Sequence, residues 1–473
     1  MRRAPRLAAA LLPLALAACA LQPAPEIATP TPELPPAFFF RPEAGAGAEL
    51  AALLPQDDPA WQTLSQAAIA EGPSLAEALA RIDTARAGAR RAGAERLPNI
   101  TADTSVTRNR INPAQFGQAG QQGFIPREQT SYGANINATW DIDLFGQLKA
   151  EERAALARID AASAQAQGVR LALLAEIAAS ITDWRTLDAR AVAIKADAAA
   201  ARQLAALAKT REDAGIAPGF DRVRADATAS SSAVRLAALE SERARLVGRL
   251  VTLTAQDADT VRAALAAPAP ALALASAPAA LPSELLANRP DVAAAAANLA
   301  AADADLAAAA RARFPRITLS GVIGLLSFRP QDFFDDSIVG TLSGGIAGPL
   351  LDFGRVGAGI DAAAGDKRAA FAAYRGAVFT ALGDAEAAYG TLTAADAEAR
   401  LSVDERDQLA RAASLAETRY RAGLASFLEV LEARRAADAS GERAAAALGR
   451  AARARIVLWQ ALGGEVLEVV SAA

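Results

Sequence analysis

The 473-residue sequence predicts a mixed α and β membrane protein built by internal duplication, and three observations predict it. First, two marks recur at one offset. Leu144-Phe145-Gly146 matches Asp352-Phe353-Gly354, and Ala214-Gly215-Ile216 matches Ala422-Gly423-Leu424; in both cases the glycines stand 208 residues apart. Equal offsets at separated places signal duplication. Second, Tyr132 to Asp143 alternates strictly, with Tyr132, Ala134, Ile136, Ala138, Trp140 and Ile142 on one face and small or polar residues on the other. That is the period of a strand with one apolar face. Third, two proline-free stretches, about Gln147 to Asp213 and Arg355 to Ala422, carry apolar residues at three- and four-residue steps. At about 1.5 Å per residue each would reach ~100 Å, too long for a globular helix.

Composition narrows the function classes. The chain has no His, so neither a Ser-His nor a Cys-His couple nor an imidazole metal ligand can be built. Its single Cys excludes an intramolecular disulfide. Charge is nearly balanced, 49 basic against 53 acidic residues, which argues against a nucleic-acid partner held by a broad basic surface. Mean hydropathy is +0.15, yet past the first 20 residues no uninterrupted apolar run reaches the ~18 that a membrane helix needs. The nearest candidate, Ala263 to Pro282, is broken by Pro268, Pro270, Pro278 and Pro282 and reads as a linker.

Taken in order, residues 1–18 read as a signal peptide, with Arg2, Arg3 and Arg6 ahead of an apolar stretch. It ends in Leu16-Ala17-Ala18-Cys19, a bacterial lipobox pattern in which Cys19 would be acylated; an ordinary Ala-x-Ala cleavage site is the competing reading. The Pro-rich segment after it suits a tether, and residues 19–73 form an N-terminal region. The first repeat covers 74–264. A helix opens at Ser74 with a Ser74-Leu75-Ala76-Glu77 capping box and is stopped near Pro98. Strands follow at about 99–110 and 130–143, then long helices at 147–213 and 219–264, with Gly146 at the strand-to-helix junction and Gly215 at the hairpin turn. A Pro/Ala linker, 265–287, leads to the second repeat, 288–463: strands at about 316–328 and 338–351, helices at 355–422 and 426–462, junction Gly354 and turn Gly423. Residues 464–473 are a tail. The stripes on the long helices, such as Leu173, Ile177, Ile181, Trp184 and Leu187, together with abundant Ala, suit close coiled-coil-like packing.

Strands of this length with one apolar face, in a secreted and lipid-anchored chain, suit an outer-membrane barrel. Four strands cannot close one. Because an open sheet edge is untenable in lipid, several copies must pool their strands, and the charged helices must project into water.

Three further motifs carry a resemblance to a known family. Asn288-Arg289-Pro290-Asp291-Val292 opens the second repeat. Pro349-Leu350-Leu351-Asp352-Phe353-Gly354-Arg355 forms a strand-to-helix junction. Tyr420-Arg421-Ala422-Gly423 with Phe427-Leu428-Glu429-Val430-Leu431-Glu432-Ala433-Arg434 forms a hairpin. Over nearly the whole mature chain the sequence resembles a TolC-like outer-membrane efflux channel of the NodT-type lipoprotein branch. The resemblance implies a homotrimer in the cell outer membrane, lipid-anchored, whose barrel of four strands per protomer continues into a periplasmic α-helical tunnel. It implies as partners a periplasmic adaptor (membrane fusion) protein and an inner-membrane RND-type pump, with no nucleic acid. It implies no cofactor beyond a covalent lipid on Cys19, no metal and no enzymatic activity. In the family, carboxylates ring the tunnel at the hairpins. Here the position six residues past each repeated Gly is acidic, Asp221 and Glu429, and Glu432 shares a helix face with Glu429. Tyr420 matches a hairpin tyrosine of the closed-state contacts. The family's Arg two residues past the Gly is replaced by Ala425, so the resemblance leaves open whether the gate uses an ion pair, with Arg222 or Arg224 as candidates. Threefold symmetry would make each carboxylate a ring favouring cations. Ordinary solvated helix charges are the bland alternative. Trp140 reads as a marker of the bilayer interface and Trp459 as core. The competing functions are an exit duct of a type I protein-secretion system, which shares the fold, and a periplasmic coiled-coil scaffold without a pore.

Overall fold

The computed structural model describes residues 25–41, 49–110, 112, 128–216, 218–271, 274–280, 282, 287–335 and 337–464. The signal peptide, Cys19 and its lipid, most of the loop 109–130 and the tail beyond Gly464 lie outside the described residues. The described chain forms α1 (Pro59–Glu71), α2 (Pro73–Ala94), β1 (Asn99–Arg110), β2 (Glu128–Ile142), α3 (Gln147–Asp213), α4 (Gly219–Thr254), α5 (Ala258–Ala266), α6 (Pro290–Arg311), β3 (Arg316–Ser327), β4 (Ile338–Ala347), α7 (Arg355–Arg421) and α8 (Phe427–Ala461). Its described residues part into two compact units, one holding 25–30, 82–161 and 295–373, the other 31–81, 162–294 and 374–464.

The first unit holds an antiparallel sheet in the order β1-β2-β3-β4, so β1 and β4 each have one strand neighbour in the chain. Its register keeps the apolar alternation on one side: Ile136 lies between Ala102 and Ile323, Trp140 faces Leu319, and Ile317 faces Ile346. The other side is mainly polar or small, interrupted by Val322, Leu326 and Val339. Asp103 faces Asn135 and accepts hydrogen bonds from Nδ2 of Asn135 (3.3 Å) and Asn137 (2.5 Å), while Asp141 accepts one from Thr318 Oγ1 (2.6 Å). The apolar side is uncovered within the chain, with Ile100, Val106, Ile323, Ile338, Leu342 and Ile346 all exposed. In the same unit α6 is apolar through alanine, but Asp303 and Asp305 on it pair with Lys367 (2.5 Å) and Arg158 (2.5 Å). Both carboxylates stay solvent-exposed while they tie neighbouring helices.

The second unit carries the main core, with Ile177, Ile181, Leu250, Val261, Tyr389 and Leu458 fully buried. Small residues set its spacing. At Gly449 on α8 an added methyl group would overlap the Thr186 side chain on α3, so the two helices touch backbone to side chain. Trp459 is buried in this core. Arg289 explains the Arg-Pro-Asp motif. Its nearly buried guanidinium binds Asp291 (2.7 Å) next to it, Asp384 on α7 (3.0 Å) and the Ala461 carbonyl on α8 (3.1 Å), fastening the start of α6 to both helices. Burial works against that charge, but the two carboxylates outweigh it and raise the Arg289 pKa, while the Asp291 carboxyl is held below its usual value.

Several boundaries differ from the sequence reading, four of them for a clear local reason. The helix expected from Ser74 opens at Pro73, whose fixed φ and missing N–H suit the first position; Ala76 N–H donates to the Gly72 carbonyl, and Glu77 pairs with Arg81 instead of closing a capping box. The return helix expected over 219–264 stops at Thr254. Ala255 turns left-handed (φ 56°), and the Asp257 carboxylate then caps a separate α5 through Thr260 N–H (2.8 Å). The strand expected over 338–351 ends at Ala347, ahead of Gly348 and of Pro349, which has no N–H to give. The strand expected from 130 begins at Glu128, which pairs with Arg108 across β1 and β2 (2.6 Å).

Candidate functional site

Two junctions launch the long helices from the sheet. Gly146 (φ 79°) and Gly354 (φ 88°) both take the left-handed conformation that glycine adopts without strain. Just ahead of each, an aspartate satisfies free N–H groups of the new helix. Asp143 accepts from Leu148 (3.2 Å) and Lys149 (2.8 Å), and Asp352 from Gly354 (3.2 Å) and Val356 (2.8 Å). The Val356 and Gly354 N–H bonds hold the Asp352 carboxyl below its usual pKa. The repeated Leu/Asp-Phe-Gly mark drew attention to the glycines. The repeat does not mark the aspartates as equivalent caps, because they stand at different offsets, three residues before Gly146 and two before Gly354.

At their far ends the long helices stop in two equivalent caps. Gly215 N–H bonds to the Glu212 carbonyl (2.8 Å) and Ile216 N–H to that of Arg211 (3.0 Å); Gly423 and Leu424 repeat the pattern on Tyr420 (3.0 Å) and Arg419 (2.8 Å). Both glycines are left-handed, φ 70° and 75°, as this Schellman arrangement demands. That shared geometry is why Gly215 and Gly423 recur in the sequence.

The residues read as a gate cluster around these caps in different roles. Asp221 is half-buried in the first turn of α4. Glu429 is exposed, and its carboxylate accepts from Ser426 N–H (3.0 Å) while Glu429 N–H donates to Ser426 Oγ (3.2 Å), a full capping box at the start of α8. Glu432 is exposed one turn on. Tyr420 is buried among Leu204, Phe427 and Leu431, with its ring edge-on to Phe427 at 5.9 Å. Arg222 spans Glu212 (2.9 Å) and Asp226 (3.2 Å), closing the first hairpin on itself, and Arg224 lies over the Phe220 ring at 5.0 Å. Ala425 packs against the cluster that holds Tyr420.

Other cations do more between the hairpins. Arg211 lies 4.2 Å over the Tyr420 ring and donates to the Tyr420 carbonyl (3.2 Å), joining α3 to α7. Arg434 binds Glu417 with two nitrogens (2.5 and 2.8 Å), joining α8 to α7. Arg190 of α3 (2.7 Å) and Arg235 of α4 (3.1 Å) converge on Glu442 of α8. No local pattern marks these residues, since each meets a partner on another helix.

Comparison with known proteins places this geometry. The outer membrane efflux protein family matches residues 64–256 and 281–464, well over half of the chain. The chain belongs to that family. Its two matched blocks correspond to the duplicated halves. Among relatives, the pyoverdine export outer membrane protein OpmQ of Pseudomonas putida is 29% identical over 468 residues, 96% of each chain. Nodulation protein T of Rhizobium leguminosarum bv. viciae is 28% identical over 466 residues, 97% of this chain and 93% of that one. The solved outer-membrane channel OprN matches with a TM-score of 0.80 at 25% identity, over 93% of this chain and 99% of the other. The chain is thus an outer-membrane efflux channel component with the TolC-like fold, as its motifs imply. Its family is one of transport and not of catalysis.

Proposed function

We propose that three copies of the chain, each lipidated at Cys19, form a passive gated conduit that carries small molecules out through the outer membrane for an inner-membrane RND-type pump reached through a periplasmic adaptor. One observation carries the reading. The four-stranded sheet is apolar on one exposed side, polar on the other and open at both edges. In lipid each unpaired edge group costs several kcal/mol, so β1 of one copy must pair with β4 of the next, and three copies would make a closed twelve-stranded barrel. The polar side with Asp103 and Asp141 would then line the pore. Trp140, whose indole donates to the Arg96 carbonyl (2.9 Å), would sit at the bilayer surface.

In this reading Asp221, Glu429 and Glu432 ring the periplasmic constriction, and the chain has no enzymatic activity of its own. Export of pyoverdine is named for OpmQ, and a small polar solute of that kind fits the polar sheet face. The test is a mass measurement on protein purified from the outer membrane in detergent. A trimer carrying an added lipid mass that Cys19→Ser abolishes is expected; a soluble, unmodified monomer would overturn the proposal.

A further inference from the structure

Above the hairpin caps, α3 of the first hairpin meets α8 of the second through two carboxyl groups. Asp197 of α3 and Asp438 of α8 both line one small gap and face each other across it. Asp438 is 8% exposed and the Asp197 side chain 14%. The gap around them, lined by Ala201, Leu204, Leu431, Thr228 and Arg434, is about 10 Å³. That is no more than one water requires, so solvent cannot hydrate two negative charges there. One Asp197 oxygen, Oδ2, is buried without a hydrogen-bond partner among the described residues.

Two ionised carboxylates in a dry contact repel, whereas a carboxyl and a carboxylate sharing one proton form a short charge-assisted hydrogen bond. We propose that Asp197 and Asp438 share a proton and so form a latch that fastens α3 to α8 below neutral pH and releases it above. The surroundings tune the latch without replacing it. From α4, Arg235 stands 3.8 Å from Asp197, too far for a hydrogen bond, and spends its direct contact on Glu442. From α8, Arg434 favours the charged form of Asp438, but Glu417 of α7 holds its guanidinium. Glu442 of α8 adds negative charge near Asp197 and is itself paired with Arg190 of α3. Burial first, then the facing carboxyl, pushes Asp197 up to about 7, and burial raises Asp438 as well.

The sign follows. The folded pair binds a proton that the unfolded chain, with ordinary aspartates near 3.8, has already lost. Stability of this contact therefore falls as pH rises from about 4 toward 7. The consequence for transport, an easier opening above neutral pH, rests on the conduit reading above.

The test uses the full-length lipidated protein in detergent. Hydrogen exchange over residues 190–204 and 431–445, corrected for its intrinsic pH dependence, should show about a tenfold loss of protection between pH 6 and 8. Asp197→Asn and Asp438→Asn each supply a permanent amide donor, so both should stay at the acid-level protection throughout; either variant alone suffices if the other misfolds. Arg235→Gln, which removes a cation favouring ionisation, should move the loss to higher pH. Protection that is flat with pH in the natural protein, or an equal loss in both Asn variants, would overturn the latch. Bilayer currents should rise over the same interval. Currents that ignore pH would overturn its role in opening, and an absence of current at every pH would count against the conduit while exchange still decided the latch.

Discussion

The two compact units of the molecule satisfy their apolar residues in opposite ways. In the helical unit one chain suffices: Ile177, Ile181 and Tyr389 are sealed, and Arg289 ties three helices together. In the strand unit one chain does not suffice. Ile323, Leu342 and Ile346 lie uncovered, and β1 and β4 have free edges. The difference teaches where the protein depends on its surroundings. The helices are stabilised from within, whereas in the proposed conduit the sheet would rely on lipid and on further copies of itself.

The sharpest way to break that comparison is to place a charge on each face of one strand. Leu342 of β4 lies on the apolar side and Thr341 on the polar side. Leu342→Arg is expected to cost about 2–4 kcal/mol per copy near the bilayer midplane and to abolish assembled trimer in detergent. Thr341→Arg should leave assembly intact. Equal losses would mean that the apolar face does not meet lipid.

Within the helical unit, Gly449→Val tests close packing. The new side chain would overlap Thr186, at a cost of about 1–3 kcal/mol, and should lower the thermal midpoint of the helical signal while trimer mass persists. A smaller effect, about 1–2 kcal/mol, is expected for Arg289→Ala. It leaves Asp291 and Asp384 without their cation, but both carboxylates are about half exposed and water screens them. Denaturant unfolding followed by circular dichroism would check both.

The same contrast explains what the sequence disclosed. Strand alternation, duplicated glycines and helix length are local, so Tyr132 to Asp143, Gly146 with Gly354 and Gly215 with Gly423 were legible residue by residue. The ends of α3 and α7 fell within a residue of expectation because Gly215 and Gly423 impose a left-handed turn. Local signals also misled. Ser74-Leu75-Ala76-Glu77 reads as a cap, but Pro73 competes for the first helical position and prevails. Contacts between helices left no trace. Arg211 on Tyr420, Arg434 on Glu417 and Asp197 on Asp438 depend on the rotation of one helix against another, which no single stretch of sequence encodes.

The subtlest experiment separates two roles of one gate residue. In the second hairpin Ser426 and Glu429 cap α8 reciprocally, whereas in the first the N-cap of α4 is Pro218, with no side-chain bond. Ser426→Ala should therefore cost about 1 kcal/mol and speed hydrogen exchange around residues 424–432, with the first hairpin unmoved. Glu429→Gln keeps an oxygen that accepts from Ser426 N–H but removes the negative charge. If Glu429 serves only the cap, exchange and ion selectivity in bilayers both stay unchanged. If its ring of three also sets the constriction, exchange stays unchanged and cation preference falls, because only Asp221 and Glu432 then supply charge there.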